Sequence, residues 1–308
     1  MKTVMLTGAS GFIGHHCIPL LIKQGYEVHA LTSRKNPRND RRVSWHTANL
    51  LKPDQVHSAI ESICPTHLLH FAWYTKPGLY WSAQDNVQWL QASLNLVQAF
   101  SVGGGERMVS AGTCAEYDWR FGYCSEDITP LKPQTLYGVS KQSFQMISHE
   151  ILKSADISNA WGRIFFLYGP CENQTRLVPS VINALLQEQP APCTIGNQIR
   201  DYLFVEDVAD AFVQLLDSPV MGPVNIGSGK PVSVREIIEL IGAKIGHEEL
   251  IRYGQIPTSP SEAPFIVADN RRLLNEVGWS QKHDLGKGLD RTISWWKKVL
   301  DEETMPPE

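Results

Sequence analysis

The chain alternates short apolar runs with amphipathic stretches over most of its length. Lys2 to Thr7 is apolar and β-branched, and after a glycine-rich turn Ile18, Leu21 and Ile22 recur at helical spacing, which predicts strand, turn and helix in that order. Glu27 to Thr32, Val43 to Thr47, His67 to Ala72, Arg107 to Ser110 and Asn159 to Phe166 read as further strands. Helices are predicted over about 82–102 and over 136–153. The first carries two apolar stripes, one of Val87, Leu90, Leu94 and Val97, the other of Trp89, Leu96 and Phe100. One stripe covers a sheet. The other implies either a homodimer formed through this helix or a crossover helix buried on both sides.

This rhythm implies an α/β fold, a Rossmann-type doubly wound parallel sheet whose ligands lie at the carboxyl ends of its strands. Past Gly169-Pro170 the rhythm loosens into helices 175–188, 206–217 and 233–245, the segment Ala191 to Gly196, and strands at Pro223 to Ile226 and Leu250 to Tyr253. A Pro-rich loop to Pro264 and two more helices complete the chain. The expected division is an NAD(P)-binding Rossmann domain over 1–170 and a smaller C-terminal α/β substrate-binding region over 171–308. Parts of the second, about 200–226, are expected to return to the first. No repeat or low-complexity linker separates them.

Composition narrows the function classes. The 308 residues are 43% hydrophobic and 19% charged, with a net charge of −4, and neither a long basic run nor a basic helix is present. Nucleic acid and membrane surfaces are therefore not expected partners. No apolar run approaches a membrane span. A Lys followed by apolar residues opens the chain like a signal peptide, but Gly8, Ser10, Gly11 and His15-His16 interrupt it. The six cysteines show no ligand-like spacing, so no metal site is indicated and reduced thiols in a cytoplasmic protein are expected.

Candidate chemistry begins at Gly8-Ala9-Ser10-Gly11-Phe12-Ile13-Gly14, a glycine turn between strand and helix. Such a turn lets the backbone approach a pyrophosphate, whose charge is favoured at the helix N-terminus. The spacing is GxxGxxG. Pro19, inside the following helix, should kink it. After the second strand stand Thr32-Ser33-Arg34-Lys35, with no carboxylate for a ribose 2′-hydroxyl and with Arg34 able to grip a 2′-phosphate, so NADP(H) is favoured over NAD(H). The alternative for Arg34 and Lys35 is a solvated loop. Tyr137 and Lys141 lie four residues apart on one helical face, a pair that can move a proton near neutral pH when the cation favours the phenolate. Alone this pair also arises by chance; its place with Thr113 and the glycine turn at strand ends makes it a candidate active site.

Taken in order, Gly8 to Gly14, Thr113, Tyr137 with Lys141, Arg163 to Pro170, Arg200 to Asp207 and Asn225 to Gly229 resemble the extended short-chain dehydrogenase/reductases, specifically their nucleotide-sugar epimerase, dehydratase and reductase group. The resemblance runs to Ala268-Asp269 and Val277-Gly278-Trp279. It implies Tyr137 as acid/base, Lys141 holding the nicotinamide ribose and depressing the Tyr137 pKa, and Thr113 bonding the reacting oxygen. It implies a cofactor held by Gly8, Ser10, Gly11, Phe12, Ile13, Gly14, Ser33, Arg34, Asn49, Leu50, Phe71, Ala72, Tyr137 and Lys141. For a nucleotide-diphosphate sugar it points to Arg200 at the diphosphate, with Tyr74, Thr75, Lys76, Phe166 and Arg176 completing the expected substrate site.

Three departures shape the expected activity. Related 4,6-dehydratases follow the Thr with Asp-Glu, where this chain has Cys114-Ala115, which argues against dehydration. Enzymes resembling GDP-fucose synthase carry a Cys two places after the Ser/Thr; that place is Ala115, and Cys114 reads as a packed thiol. The usual Arg-x-Phe-Asn is Arg163-Ile164-Phe165-Phe166, and the usual Arg-Pro-Gly-Asp is Ser259-Pro260-Ser261-Glu262, so two diphosphate contacts need replacement, with Arg176 and Arg252 as candidates. The implied activity is NADPH-dependent reduction of a nucleotide-linked 4-keto sugar. The alternatives are a 4-epimerase with retained NAD and a non-catalytic NADP-binding sensor or scaffold, the last opposed by the intact Thr113, Tyr137 and Lys141.

Overall fold

The computed structural model describes residues 2–33, 41–259 and 262–304. Its centre is a seven-stranded, all-parallel sheet. Strand Thr3–Thr7 lies between Glu27–Thr32 and His67–His70; Val43–Thr47 closes one edge, and Arg107–Thr113, Ser158–Ile164 and Gly222–Ile226 extend the other. The strand order reverses beside Thr3–Thr7. Its carboxyl end therefore opens a crevice where ligands settle in such sheets.

Helices cover both faces. On one, Phe12–Lys23 packs on Val205–Asp217, and Cys17, Ile18 and Leu21 meet Val208, Ala209 and Phe212 in one core cluster. Helix Val205–Asp217 is buried along nearly its whole length, as expected of an element covered on several sides. Pro19 does not break Phe12–Lys23, which runs through it unbroken with the residue exposed. On the other face lie Pro53–Ile63, Asp85–Val102 and Leu136–Ser154, with Leu96, Val97, Phe100 and Phe144 inside. Both stripes of Asp85–Val102 pack on the same core, with Trp89, Leu90 and Leu94 partly buried, so the helix is covered on both sides except near its start. Leu96, Val97 and Phe100 are fully buried, whereas Val87 is 39% exposed.

This helix starts at Asp85, later than the sequence pattern predicts. Residues 77–82 wind as turns, and the buried Asn86 amide holds them by donating to the carbonyls of Tyr80 (2.7 Å) and Ala83 (2.9 Å). The predicted strand Asn159 to Phe166 is likewise two strands. Ser158–Ile164 stays in the main sheet, and after Phe165 the chain leaves it, so that Phe166–Tyr168 pairs with Tyr202–Phe204 of strand Ile199–Phe204.

Ile199–Phe204 is central to a second sheet with Pro231–Ser233, Phe265–Ala268 and Tyr123–Cys124. Asp201 joins its pieces: its carboxylate accepts from Ser228 N (2.7 Å), Ser228 Oγ (2.6 Å), Gly229 N (2.9 Å) and Ala268 N (3.1 Å). Helices Leu177–Leu186, Val234–Ile245 and Leu285–Thr304 enclose a further core around Ile182, Ile237 and Leu289. Strand Gly222–Ile226, although late in the chain, belongs to the main sheet. Among the described residues no helix is long and apolar enough to cross a membrane.

Candidate active site

The glycine turn follows strand Thr3–Thr7 at its carboxyl end. Gly8 has φ +69°, and a Cβ there would stand 2.9 Å from the Ala72 nitrogen and 3.1 Å from the Phe71 carbonyl carbon. Glycine is required on both counts. Phe71 and Ala72 therefore touch the turn from the neighbouring strand end, and Ala72 N donates to Thr7 Oγ1 at 3.3 Å. Gly11 caps helix Phe12–Lys23 without a side-chain bond, and no acidic residue occupies the first turn, which begins with Phe12, Ile13 and the buried Gly14. Such a helix start presents free N–H groups and a positive dipole end. Turn, close approach and uncapped helix fit the pyrophosphate of a dinucleotide. Ser10 Oγ reaches Thr32 Oγ1 at 3.4 Å, and Ser33 is exposed just beyond the second strand. Arg34 lies outside the described residues. Asn49 accepts from Leu51 N at 3.0 Å beside the buried Leu50, after the third strand.

Thr113 ends strand Arg107–Thr113, and its hydroxyl accepts from Ala115 N at 3.2 Å, capping the single turn Cys114–Glu116. Helix Leu136–Ser154 starts against that turn because Gly138 has no Cβ; one would stand 2.6 Å from the Ala115 carbonyl oxygen. This approach brings the Tyr137 phenol beside the Thr113 hydroxyl, whose presence favours the phenolate. Lys141, one turn on, is 2% exposed and donates to the Ala111 carbonyl at 2.9 Å. The structure thus brings Thr113, Tyr137 and Lys141 together at the carboxyl end of the sheet.

Their electrostatics differ from the sequence-based expectation. Burial, then the neighbouring Tyr80, push the Tyr137 phenol above its ordinary pKa, and the nearby Thr113 hydroxyl only partly opposes them. Lys141 does not depress it. Its ammonium faces the Ala111 carbonyl and the Trp73 ring, and burial pulls Lys141 itself down to about 7, against the pull of Glu116.

The walls were only partly foreseen. Tyr80 stands edge-on to Tyr137 and Trp81 packs on both, while Tyr137 N donates to the Trp81 carbonyl at 3.1 Å. Arg176 lies 5.2 Å from the Tyr80 ring centroid, and its charge pulls against the burial that raises the Tyr80 phenol. Tyr74 is half-buried against the core, and Thr75 and Lys76 are exposed on the turn leading to Tyr80. The candidates Tyr74, Thr75 and Lys76 lie at the beginning of the 73–81 run; the contacts to Tyr137 come from its end. Two aromatic pairs, Trp73-Tyr74 and Tyr80-Trp81, flank Thr75 to Leu79 with neither helical nor strand periodicity.

Arg200, expected at a diphosphate, is engaged inside the protein. It pairs with Glu262 at 2.9 Å, donates to the Ile199 carbonyl and lies over Phe166 at 5.2 Å. Phe166 in turn packs against Tyr202. Glu116, which the sequence reading left without a role, is fully buried. It accepts from Thr113 N (2.8 Å), Trp161 Nε1 (3.0 Å) and Arg163 Nε (2.7 Å), fixing the Thr113 end of the strand. Cys114 is buried, and burial pushes its thiol up and keeps it protonated. Among the described residues no cluster of His, Cys, Asp and Glu could hold a metal ion.

Comparison with known proteins places these features in context. The profile of the NAD dependent epimerase/dehydratase family matches residues 4–227. The chain is 28% identical over 304 residues to CDP-abequose synthase of Salmonella typhimurium, covering 94% of this chain and 97% of that one. It is 24% identical to UDP-glucuronate 4-epimerase of Thermodesulfobacterium geofontis, with 98% of each covered. Among solved structures, MoeE5 in complex with UDP-glucose and NAD superposes with a TM-score of 0.84 at 27% identity, covering 97% of this chain and all of that one. UDP-glucose 4-epimerase of Thermotoga maritima superposes with a TM-score of 0.86 at 20% identity, covering 97% and 100%.

Proposed function

The chain belongs to the NAD dependent epimerase/dehydratase family, and from that premise we propose that it reduces a nucleotide-linked 4-keto sugar with NADPH. The observation that carries this reading is the surroundings of Thr113 and Tyr137. The two hydroxyls are neighbours, yet the residues after Thr113 offer no second acid/base, since Cys114 is a buried, protonated thiol, Ala115 is inert and Glu116 is consumed by Arg163. Proton transfer at one oxygen is what this arrangement can do.

The glycine turn Gly8 to Gly14 would hold the cofactor, whose nicotinamide would be the hydride source for the carbonyl carbon. Tyr137 gives its phenolic proton to the carbonyl oxygen, and the ketone becomes an alcohol. Its raised pKa keeps the phenol protonated before the reaction begins. Thr113 orients that oxygen, and Lys141 holds the nicotinamide ribose. Phe166 and Arg176 border the sugar-nucleotide, Arg200 reaches its diphosphate only by leaving Glu262, and Tyr74, Thr75 and Lys76 lie on the loop leading to it. The preference for NADP(H) rests on Ser33 and Arg34.

The similarity to CDP-abequose synthase over 94% of the chain supports a nucleotide-sugar substrate. The similarity to UDP-glucuronate 4-epimerase over 98% favours a second reading, a 4-epimerase that retains NAD. Domain roles follow the expected division, with 171–308 mainly binding substrate. Homodimerisation through helices Asp85–Val102 and Leu136–Ser154 is supported by Val87, Val139, Met146 and Ile147, which are 39%, 44%, 58% and 44% exposed. The six unpaired cysteines fit a reducing, cytoplasmic setting.

The test is to purify the protein, identify any retained nicotinamide cofactor by native mass spectrometry, and assay 4-keto nucleotide sugars with NADPH and NADH. The ketoreductase arrives empty and oxidises one NADPH per ketone reduced, and Tyr137→Phe lowers turnover by at least about 100-fold while still binding cofactor. Retained NAD(H), with interconversion of nucleotide sugars and no net cofactor consumption, would establish the epimerase instead.

A further inference from the structure

Lys141 holds its ammonium 3.9 Å from the centroid of the Trp73 ring. Apart from this face and the Ala111 carbonyl, the charge is set in a nearly dry environment, and the carboxylate whose field it feels, Glu116, is already paired with Arg163 at 2.7 Å. A buried ammonium needs replacement for its lost water, and an indole face is the strongest aromatic substitute. The indole is itself fixed. Its Nε1 donates to Asn86 Oδ1 at 2.9 Å, and the fully buried Asn86 donates onward to the Tyr80 and Ala83 carbonyls. The 73–81 loop thus grips helix Leu136–Ser154 twice, by Trp73 at Lys141 and by Tyr80 and Trp81 at Tyr137.

We propose that Trp73 is a positioning residue for Lys141, seating the ammonium against its indole face, with Asn86 holding the indole in place. Its catalytic meaning rests on the reading of Lys141 as the cofactor-holding partner of Tyr137, but it can be measured without turnover. The groups around Lys141 and its partner Tyr137 do not titrate in the neutral range. His70, on strand His67–His70, is pulled to about 3 by burial and by Lys141, and burial pushes Tyr137, with its neighbours Tyr80 and Cys114, up; Glu116 lies 2.7 Å from Arg163. Lys141 alone, held near 7, titrates in that range. The indole favours the charged form, so its removal lowers the midpoint further.

The experiment follows the carbon-13 resonance of the Lys141 ε-carbon, assigned by its absence from Lys141→Met, from about pH 5 to about pH 11. Trp73→Leu is expected to lower the midpoint by about one pH unit, and Trp73→Phe, which keeps a ring face, by less. Asn86→Ser, which frees the indole, should also lower it. A midpoint in Trp73→Leu equal to that of the wild type overturns the proposal. Should that variant fail to fold, unchanged midpoints in both Trp73→Phe and Asn86→Ser overturn it. If no 4-keto sugar is turned over but the midpoint shifts, the proposed function falls and the role of Trp73 stands.

Discussion

The Tyr80 ring stands at 89° to that of Tyr137, with centroids 4.9 Å apart. An edge-to-face contact of this kind is worth about 0.5–1.5 kcal/mol beyond the area it buries, and here it fixes the phenol that faces Thr113. The Tyr80 phenol meanwhile feels the charge of Arg176, so one side chain serves two neighbours of different chemistry.

Two substitutions separate those duties. Tyr80→Phe keeps the ring and releases Arg176, so turnover number should hold while KM for the nucleotide sugar changes. Tyr80→Leu loses the ring edge, and kcat should fall about 10-fold, the equivalent of about 1.4 kcal/mol of misplaced phenol. Steady-state kinetics on both variants check this. Equal kcat values in wild type and Tyr80→Leu would show that the ring does not position Tyr137.

The Glu116–Arg163 pair predicts a stability effect. Both side chains are essentially inaccessible, and Arg163 Nη1 also donates to Tyr117 OH (3.0 Å), whose own proton goes to Asn225 Oδ1 (2.7 Å). Arg163→Met leaves Glu116 charged and unpaired, at a cost of about 3–5 kcal/mol, while the double variant Glu116→Gln, Arg163→Met should recover much of it. Urea denaturation of the three proteins decides. A double variant as unstable as the single would mean that lost packing, and not the stranded charge, dominates.

These cases show which parts of the molecule were legible in the sequence. The glycine turn, the strand ends and the Tyr137–Lys141 spacing are local patterns, written within a few residues. So was the apolar periodicity that builds the main sheet. What escaped depends on distant partners. The end of the 73–81 loop approaches Tyr137 only because Asn86 ties down Tyr80, and Glu116 becomes structural only when Trp161 and Arg163 arrive from another strand. The expectation that Lys141 would lower the Tyr137 pKa rested on helical spacing and on the family resemblance. Spacing placed both residues on one face but could not show that Trp73 and the Ala111 carbonyl would draw the ammonium to themselves.

The proposed dimer is tested on the outer face of Leu136–Ser154. Met146 and Ile147 are 58% and 44% exposed although they are apolar, and Asp85–Val102 lies alongside. Met146→Glu with Ile147→Lys should convert a dimer into a monomer in sedimentation velocity at micromolar concentration and leave the circular dichroism spectrum unchanged. A monomeric wild type under the same conditions would dismiss this interface.

Glu172 gives a pH prediction. Its carboxyl is shielded, with Oε2 lacking any partner, and burial raises its pKa from 4.5 to about 8 despite the opposing charge of Arg176. Between those two values the folded chain holds a proton that the unfolded chain has lost. Unfolding therefore releases a proton, and stability falls as pH rises through this window, with the loss complete above about 8. Glu172→Gln removes the titration and keeps the shape. The variant should match the wild type near pH 4.5 and gain on it by up to about 1.4 kcal/mol for each pH unit within the window, levelling off above about pH 8. Denaturation midpoints at several pH values check the slope. A difference between the two proteins that is constant with pH would place the native proton elsewhere.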